Sequence, residues 1–311
     1  MEKITVGNVK INNFILGAGR LGDINYKKEC FNILDRYLDL CYNTLDVARS
    51  YKDGKCEEFL GEYLKNKNRK NIVLISKGGF LDNKTNLPRL SKKELQNDLD
   101  ASLKALNTDY IDIYFLHRDD ITKNPEELIE TANEFIKQGK VREIGASNWT
   151  AGRIKMANEY AIKNNLQPFK VSQINYSLAQ TTPALTGDLT HVVMNDIEYA
   201  WYKETNFPLI AYSVQAKGFF TKQITGEILK PSGQKSYLPL EENFRRFDRI
   251  NRLSKEKNIP ISALLISYVL SKGLNASAIG GFSKVSQLDE AVSGVSLKLT
   301  ENEINFLEKG I

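Results

Sequence analysis

The stretch Asn43–Tyr51, NTLDVARSY, places a carboxylate, Asp46, at the end of a short β-type run and a phenol, Tyr51, where the chain has just left that run. A surface aspartate and a packed tyrosine would account for such a pair taken alone. Two later residues change the reading. Lys77 follows the apolar run NIVLIS and His117 closes YIDIYFLH, so each falls at the carboxyl end of an expected strand, as Asp46 does. Asp, Tyr, Lys and His are together the parts of a tuned proton donor. A phenol titrates near ~10 in water and gives up its proton reluctantly near neutrality. An ammonium beside it favours the phenolate and lowers that pKa. The carboxylate would hold the lysine and offset the cost of its burial, and the imidazole could orient a substrate oxygen or help with the proton.

The elements that must position these groups alternate along the chain. ITVGNVKI reads as a hairpin with Gly7 and Asn8 at its turn, able to plug or cap one end of the main fold. Eight short apolar runs come next: FILG, NTLD, NIVLIS, YIDIYFLH, VREIGAS, VSQIN, PLIAYS and ASAIGG. Helical patterns separate them. From Tyr26 to Cys41 the apolar residues recur at helical spacing, which puts Cys30 and Cys41 on one buried face. Ser91 with Glu94 spells a capping box, Asn124 with Pro125 opens another helix that stops at Gly139, and Thr300 with Glu303 opens the last. Continuously apolar strands alternating with helices imply a parallel sheet buried on both faces, and eight of them make a (β/α)8 TIM barrel over 1–311 as one domain. Such barrels keep their chemistry at the carboxyl ends of the strands, where all four residues fall. Two long connections, Tyr176–Phe207 and Val214 to about Leu240, leave that same face.

Composition agrees with a soluble globular chain. The net charge of +5 is mild and its lysines are scattered, so no basic patch points to nucleic acid. Three cysteines without metal-type spacing, a charged start and no apolar run of ~18 residues lead us to expect a reduced, cytoplasmic chain with no membrane span. Gly17, Gly19 and Gly22 do spell GxGxxG after a strand, as in a Rossmann unit. There, however, the helix starts within the glycines, whereas DINYKK intervenes here, and the Rossmann reading leaves Tyr51, Lys77 and His117 unused.

Taken together, LGAGRLG, NTLDVARSY, ISKGG, YFLHRDD, GKVREIGASNW, QINYS, IAYSVQAKGFF and AIGGFSKVSQLDEA make the chain resemble an aldo-keto reductase, in that family's order from about residue 14 to about 290. The resemblance implies a catalytic tetrad of Asp46, Tyr51, Lys77 and His117, and a nicotinamide cofactor. It implies cofactor contacts from Gly19, Arg20 and Asp46, a carboxamide site at Ser147, Asn148 and Gln173, and stacking by Tyr212. The pyrophosphate would be crossed by Ser213, Val214, Gln215 and Gly218, and the adenosine end held by Gly281, Phe282, Ser283, Lys284, Gln287 and Glu290. Gln287 stands where relatives often carry an arginine for the 2′-phosphate, and Gly281 where lysine is frequent, which leaves Lys284 as the remaining cation. NADPH is therefore the expected cofactor, with NADH as the alternative.

The expected activity is reduction of an aldehyde, ketone or sugar carbonyl. Two other classes compete: a slow cofactor-sensing regulatory or binding protein on the same barrel, and a sugar-phosphate isomerase or lyase, which would need no nicotinamide. His191, Tyr176, Trp149 and Trp201 could line a pocket or serve only as solvated or packed loop residues. The substrate and the oligomeric state are not legible in the sequence.

Overall fold

The computed structural model describes residues 2–22, 24–82, 84–225 and 235–311. A two-stranded antiparallel hairpin comes first, β1 (Lys3–Val6) and β2 (Val9–Asn12), turned by Gly7 at φ 56°. Eight parallel strands then close into a barrel: β3 (Phe14–Gly17), β4 (Thr44–Asp46), β5 (Val73–Gly78), β6 (Ile111–Leu116), β7 (Val141–Ser147), β8 (Val171–Asn175), β9 (Leu209–Tyr212) and β10 (Ala276–Gly280). Consecutive strands are neighbours, and β10 pairs with both β9 and β3, so no barrel edge is left open. All eight apolar runs of the sequence became these strands.

The alternation of side chains along each strand produces two cores. Inward-facing Ile15, Ile75, Ile113, Phe115, Val171 and Ile210 fill the barrel, and Val6, Val9 and Ile11 of the hairpin join the same cluster. The hairpin is therefore a plug at the amino-terminal face. Polar contacts fix it there: Asn8 N donates to Glu143 Oε1 at 2.7 Å, Asn43 N donates to Asn12 Oδ1 at 2.8 Å, and Ser277 Oγ donates to the Asn12 carbonyl at 2.8 Å. Outward-facing residues of the strands meet the apolar faces of the surrounding helices, among them Leu34 and Tyr37 of Lys27–Asp39, Leu95 and Leu99 of Lys92–Leu106, and Leu264 and Leu265 of Ile261–Ser271. The helix starts read from Ser91 and Thr300 are complete capping boxes. Among the described residues no helix is long and apolar enough to cross a membrane.

Several local expectations are corrected. The first helix ends at Asp39, so Cys41 lies beyond it at φ 61°, exposed, while Cys30 is buried. Lys77 lies within β5, not after it. The connection Tyr176–Phe207 carries a short helix, Pro183–Thr186, and the longer helix Asp196–Thr205, capped by Asn195. Most of its irregular part lies before the longer helix. Of the connection from Val214 to about Leu240, residues 226–234 lie outside the described residues. Trp149, Tyr176 and Trp201 pack: Trp149 is buried against Phe169, Tyr176 against Tyr268, and Trp201 lies between Tyr202 and Phe207.

Because the plug shares its apolar cluster with barrel strands, truncating it should loosen the barrel without touching the opposite face. Ile11→Ala is expected to cost about 2–5 kcal/mol in denaturant unfolding, the usual range for a buried isoleucine, with catalytic parameters of the folded fraction unchanged.

Candidate active site

A cleft of about 840 Å³ opens at the carboxyl ends of the strands, a size typical of small-ligand sites. The four residues singled out in the sequence meet at its floor. Lys77 is fully buried; its Nζ donates to Asp46 Oδ1 at 2.6 Å, to the Val47 carbonyl at 2.9 Å and to the Tyr51 hydroxyl at 3.3 Å. Gln173 Nε2 donates to the other Asp46 oxygen at 2.9 Å. The parallel register explains the meeting, since Asp46 on β4 is aligned with Ile75 on β5, two residues before Lys77.

Tyr51 reaches the site from the turn that follows β4. Lys52 and Asp53 there are both left-handed, at φ 49° and 55°, a conformation that non-glycine residues adopt only under constraint. The constraint comes from Arg49, which donates to Glu57 Oε2 at 2.7 Å and to the Asp53 carbonyl at 3.1 Å. Gly19 leaves just enough room for the phenol, because a Cβ there would stand 3.3 Å from the Tyr51 ring.

His117 follows β6 and is buried. Ser50 Oγ lies 3.4 Å from its Nδ1, the Phe80 ring packs on it at 4.9 Å, and Tyr51 meets it edge-on at 5.9 Å.

The electrostatics differ in one respect from the simple expectation. Burial raises the Tyr51 pKa above that of a free phenol; Lys77 pulls it down and Asp46 pushes it up, so the ammonium moderates the rise without reversing it. Lys77 is opposed by its own burial, yet Asp46 and Tyr51 outweigh that and raise its pKa, so it stays charged. Burial first, then Arg118, Lys77 and His191, hold His117 well below the usual imidazole range, and it is neutral near pH 7.

Most of the remaining sequence-singled residues line the same cleft: Gly19, Arg20, Ser147, Asn148, Gln173, Tyr212, Ser213, Val214, Gln215, Gly218, Gly281, Phe282, Gln287 and Glu290. Lys77 lies beneath the lining, and Ser283 and Lys284 stand outside it, both exposed, at the start of the helix Val285–Val292. Gln287 Oε1 accepts from Ser283 N at 3.0 Å and Ser283 Oγ at 3.1 Å, and Ser262 Oγ donates to Glu290. The Asn148 amide is engaged within the protein, accepting the Tyr212 hydroxyl at 2.7 Å and donating to Ser147 Oγ at 3.1 Å.

These residues fit a nicotinamide dinucleotide. The loop after β9 bends through left-handed Ser213, Ala216 and Lys217 (φ 57°, 46° and 54°), and right-handed Gln215 before left-handed Ala216 makes the concave backbone arrangement that receives anions. Lys217 and Lys222 line the cleft beside it. At the other side, a Cβ at Gly281 would meet only the Gly17 carbonyl, in ordinary contact at 3.5 Å. The cleft thus joins an anion-receiving loop to a floor of amide and hydroxyl groups.

Sequence reading missed part of this wall. Arg118, Phe80 and Ser50 all line the cleft. All three adjoin or belong to motifs already singled out, so their neighbourhood was a usable signal; His191, weighed in the sequence as either a pocket residue or a solvated loop histidine, also lines the cleft. Arg118 Nη2 lies 3.0 Å from His191 Nε2, and His191 Nδ1 lies 2.8 Å from Thr186 Oγ1. An arginine can only donate, so Nε2 accepts and the proton sits on Nδ1.

A parallel barrel carrying these groups at its carboxyl face belongs to the class of barrel enzymes that work on small molecules. Residues 13–310 match the model of the Aldo/keto reductase family, and the chain belongs to that family, whose members are oxidoreductases using nicotinamide cofactors. It is 29% identical to an aryl-alcohol dehydrogenase of Pestalotiopsis microspora, over 100% of this chain and 79% of that protein. It is also 28% identical to norsolorinic acid reductase B of Aspergillus parasiticus, over 97% of this chain and 81% of that protein.

Burial, with a further push from Arg118 and against the pull of Asp188, brings His191 from the ordinary 6.5 down to about 4. The unfolded chain therefore takes up this proton first, and the stability tied to neutral His191 is present above about pH 6.5 and lost as pH falls toward about 4. Melting temperature should drop across that window, and less steeply in His191→Gln, which keeps an acceptor but does not titrate.

Proposed function

We propose that this chain reduces an aldehyde, ketone or sugar carbonyl to the alcohol, with Tyr51 as general acid. NADPH, with NADH as the alternative, supplies the hydride when bound. The observation that carries the reading is the contact chain from Asp46 through Lys77 to the Tyr51 hydroxyl, at 2.6 and 3.3 Å, beside the cleft.

Each side chain has a role set by its surroundings. Tyr51 keeps its proton until negative charge develops on the substrate oxygen, because burial disfavours the phenolate. Once the proton has moved, the phenolate faces the Lys77 ammonium, which Asp46 holds in place. Gln173 fixes the second Asp46 oxygen, so the carboxylate cannot rotate away from the lysine. Neutral His117, with Ser50 beside Nδ1, leaves Nε2 to orient the substrate oxygen. The Phe80 ring next to it, together with the name of the aryl-alcohol dehydrogenase relative, favours an aromatic carbonyl as the first substrate to try.

For the cofactor, the Ser147, Asn148 and Gln173 group with Gly19 and Arg20 would take the carboxamide end. Asn148 contributes by holding the Tyr212 hydroxyl and so the ring that stacks. The Ser213–Gly218 loop would take the pyrophosphate, and the group from Gly281 to Glu290 the adenosine. Lys284, exposed and outside the lining, is the cation that would meet a 2′-phosphate there.

Two measurements test these assignments. With aromatic aldehydes, ketones and sugars scored by loss of reduced-nicotinamide absorbance, Tyr51→Phe should lower turnover by ~10² to 10⁴ at near-normal cofactor affinity. Lys77→Met should lose a similar amount, and the double variant little more, since both break one proton-donating unit. A Tyr51→Phe enzyme that works at the wild-type rate would end the mechanism. Titration of NADPH and NADH should give tighter binding of the phosphorylated form, weakened by Lys284→Ala; equal affinities in the wild type would remove the preference.

A further inference from the structure

We infer that Arg118, anchored by Asp188 and His191 of the segment after β8, is a positioning residue for His117. It fixes the His117 carbonyl and backs the Phe80 ring against which the imidazole packs. The inference rests on the proposed role of His117 at the reacting carbonyl.

Arg118 is buried in the cleft wall, and its donors are almost fully assigned. Nη1 donates to the His117 carbonyl at 2.9 Å. Nε and Nη2 donate to Asp188 Oδ2 at 3.2 and 2.9 Å, and Nη2 also donates to His191 Nε2 at 3.0 Å. Its guanidinium lies 4.7 Å from the centre of the Phe80 ring, which also packs against the His117 imidazole at 4.9 Å. Trp149 Nε1 donates to the Arg118 carbonyl at 3.1 Å, which holds the backbone from the β7 side. Arg118 thus restrains His117 directly at its carbonyl, which Asn148 Nδ2 also meets at 3.4 Å, and indirectly at one ring face through Phe80; Arg118 is in turn restrained by a segment some seventy residues away.

A merely structural part could be played more cheaply. A buried guanidinium needs a buried counter-charge, and leaving either partner alone is strongly unfavourable; an apolar side chain would fill the same space without either. What the charge adds is an electrostatic effect on His117. The groups facing that imidazole are Tyr51, Lys77, Arg118 and His191, and after burial it is Arg118 that most disfavours the imidazolium. Arg118 therefore both aims the ring and adds to the effect of burial in keeping it neutral.

Histidines occur only at 117 and 191, so ¹⁵N-edited NMR follows each ring separately through a pH titration. We would compare the full-length wild type with Arg118→Met, Arg118→Lys and Asp188→Asn, measuring the histidine titrations, melting temperature, cofactor affinity and carbonyl reduction. Arg118→Met should lower kcat by about 10²-fold, the loss typical of a misplaced reacting group, at near-normal cofactor affinity, and should move the His117 midpoint up toward that of free imidazole. Arg118→Lys should hold the midpoint near wild type, since the charge remains, yet recover only part of kcat, since the planar fork is gone. Asp188→Asn should fall between wild type and Arg118→Met in kcat. Wild-type kcat in a folded Arg118→Met chain, or a loss confined to melting temperature with the His117 signals unmoved, overturns the inference. If Arg118→Met does not fold, wild-type kcat in both Arg118→Lys and Asp188→Asn overturns it equally. If the wild-type chain reduces no carbonyl, the role of His117 in reduction fails, while the His117 titration in the variants still decides whether Arg118 governs the ring.

Discussion

A buried ammonium is costly unless charge and lone pairs meet it, and Lys77 is buried completely. Its three donors are met by three acceptors, the Asp46 carboxylate, the Val47 carbonyl and the Tyr51 hydroxyl, all supplied by β4 and the turn after it. That requirement ties the catalytic face together. It fixes β4 against β5, asks Gln173 on β8 to hold the far carboxylate oxygen, and draws the Tyr51 turn inward although two of its residues are left-handed. Arg49 and Glu57 stabilise that turn from behind with an ion pair of their own.

The same logic governs the opposite wall. Arg118 is nearly as buried as Lys77, and its counter-charge comes from Asp188, on the segment that overhangs the cleft. Two buried cations, each neutralised by one carboxylate, thus flank Tyr51 and His117 without leaving a net charge between them. The cations Arg20, Lys52, Lys217 and Lys222 lie elsewhere on the lining, so the positive character of the cleft is spread along the stretch where a long anionic ligand would run.

Much of this was legible in the sequence because it depends on local pattern. Eight apolar runs gave eight strands, and the ends of those runs located Asp46, Lys77 and His117 to within a residue or so of the strand termini. Capping residues such as Ser91 and Thr300 carried their own signal, since a cap is a bond between near neighbours. What escaped depends on contacts between distant segments. Arg118, Asp188 and His191 come together only after folding, and nothing near His191 distinguishes it from a solvated loop histidine. Cys41 was misplaced because helical spacing continues past Asp39 while the backbone does not. The sign of the net shift at Tyr51 escaped too, because a pairing of residue types reveals the neighbouring ammonium but not the depth at which the phenol lies.

The pairing of β10 with β3 also bears on how the molecule comes into being. Ser277 reaches the Asn12 carbonyl across 265 positions of chain, and the two strands beside these residues are the seam of the barrel. During synthesis the plug and β3 emerge well before β10, the lateral partner of β3. Until then β3 presents an unpaired edge, the kind of surface that invites association between nascent chains. Closure must wait for β10, so this contact of high sequence separation is of the kind that slows folding.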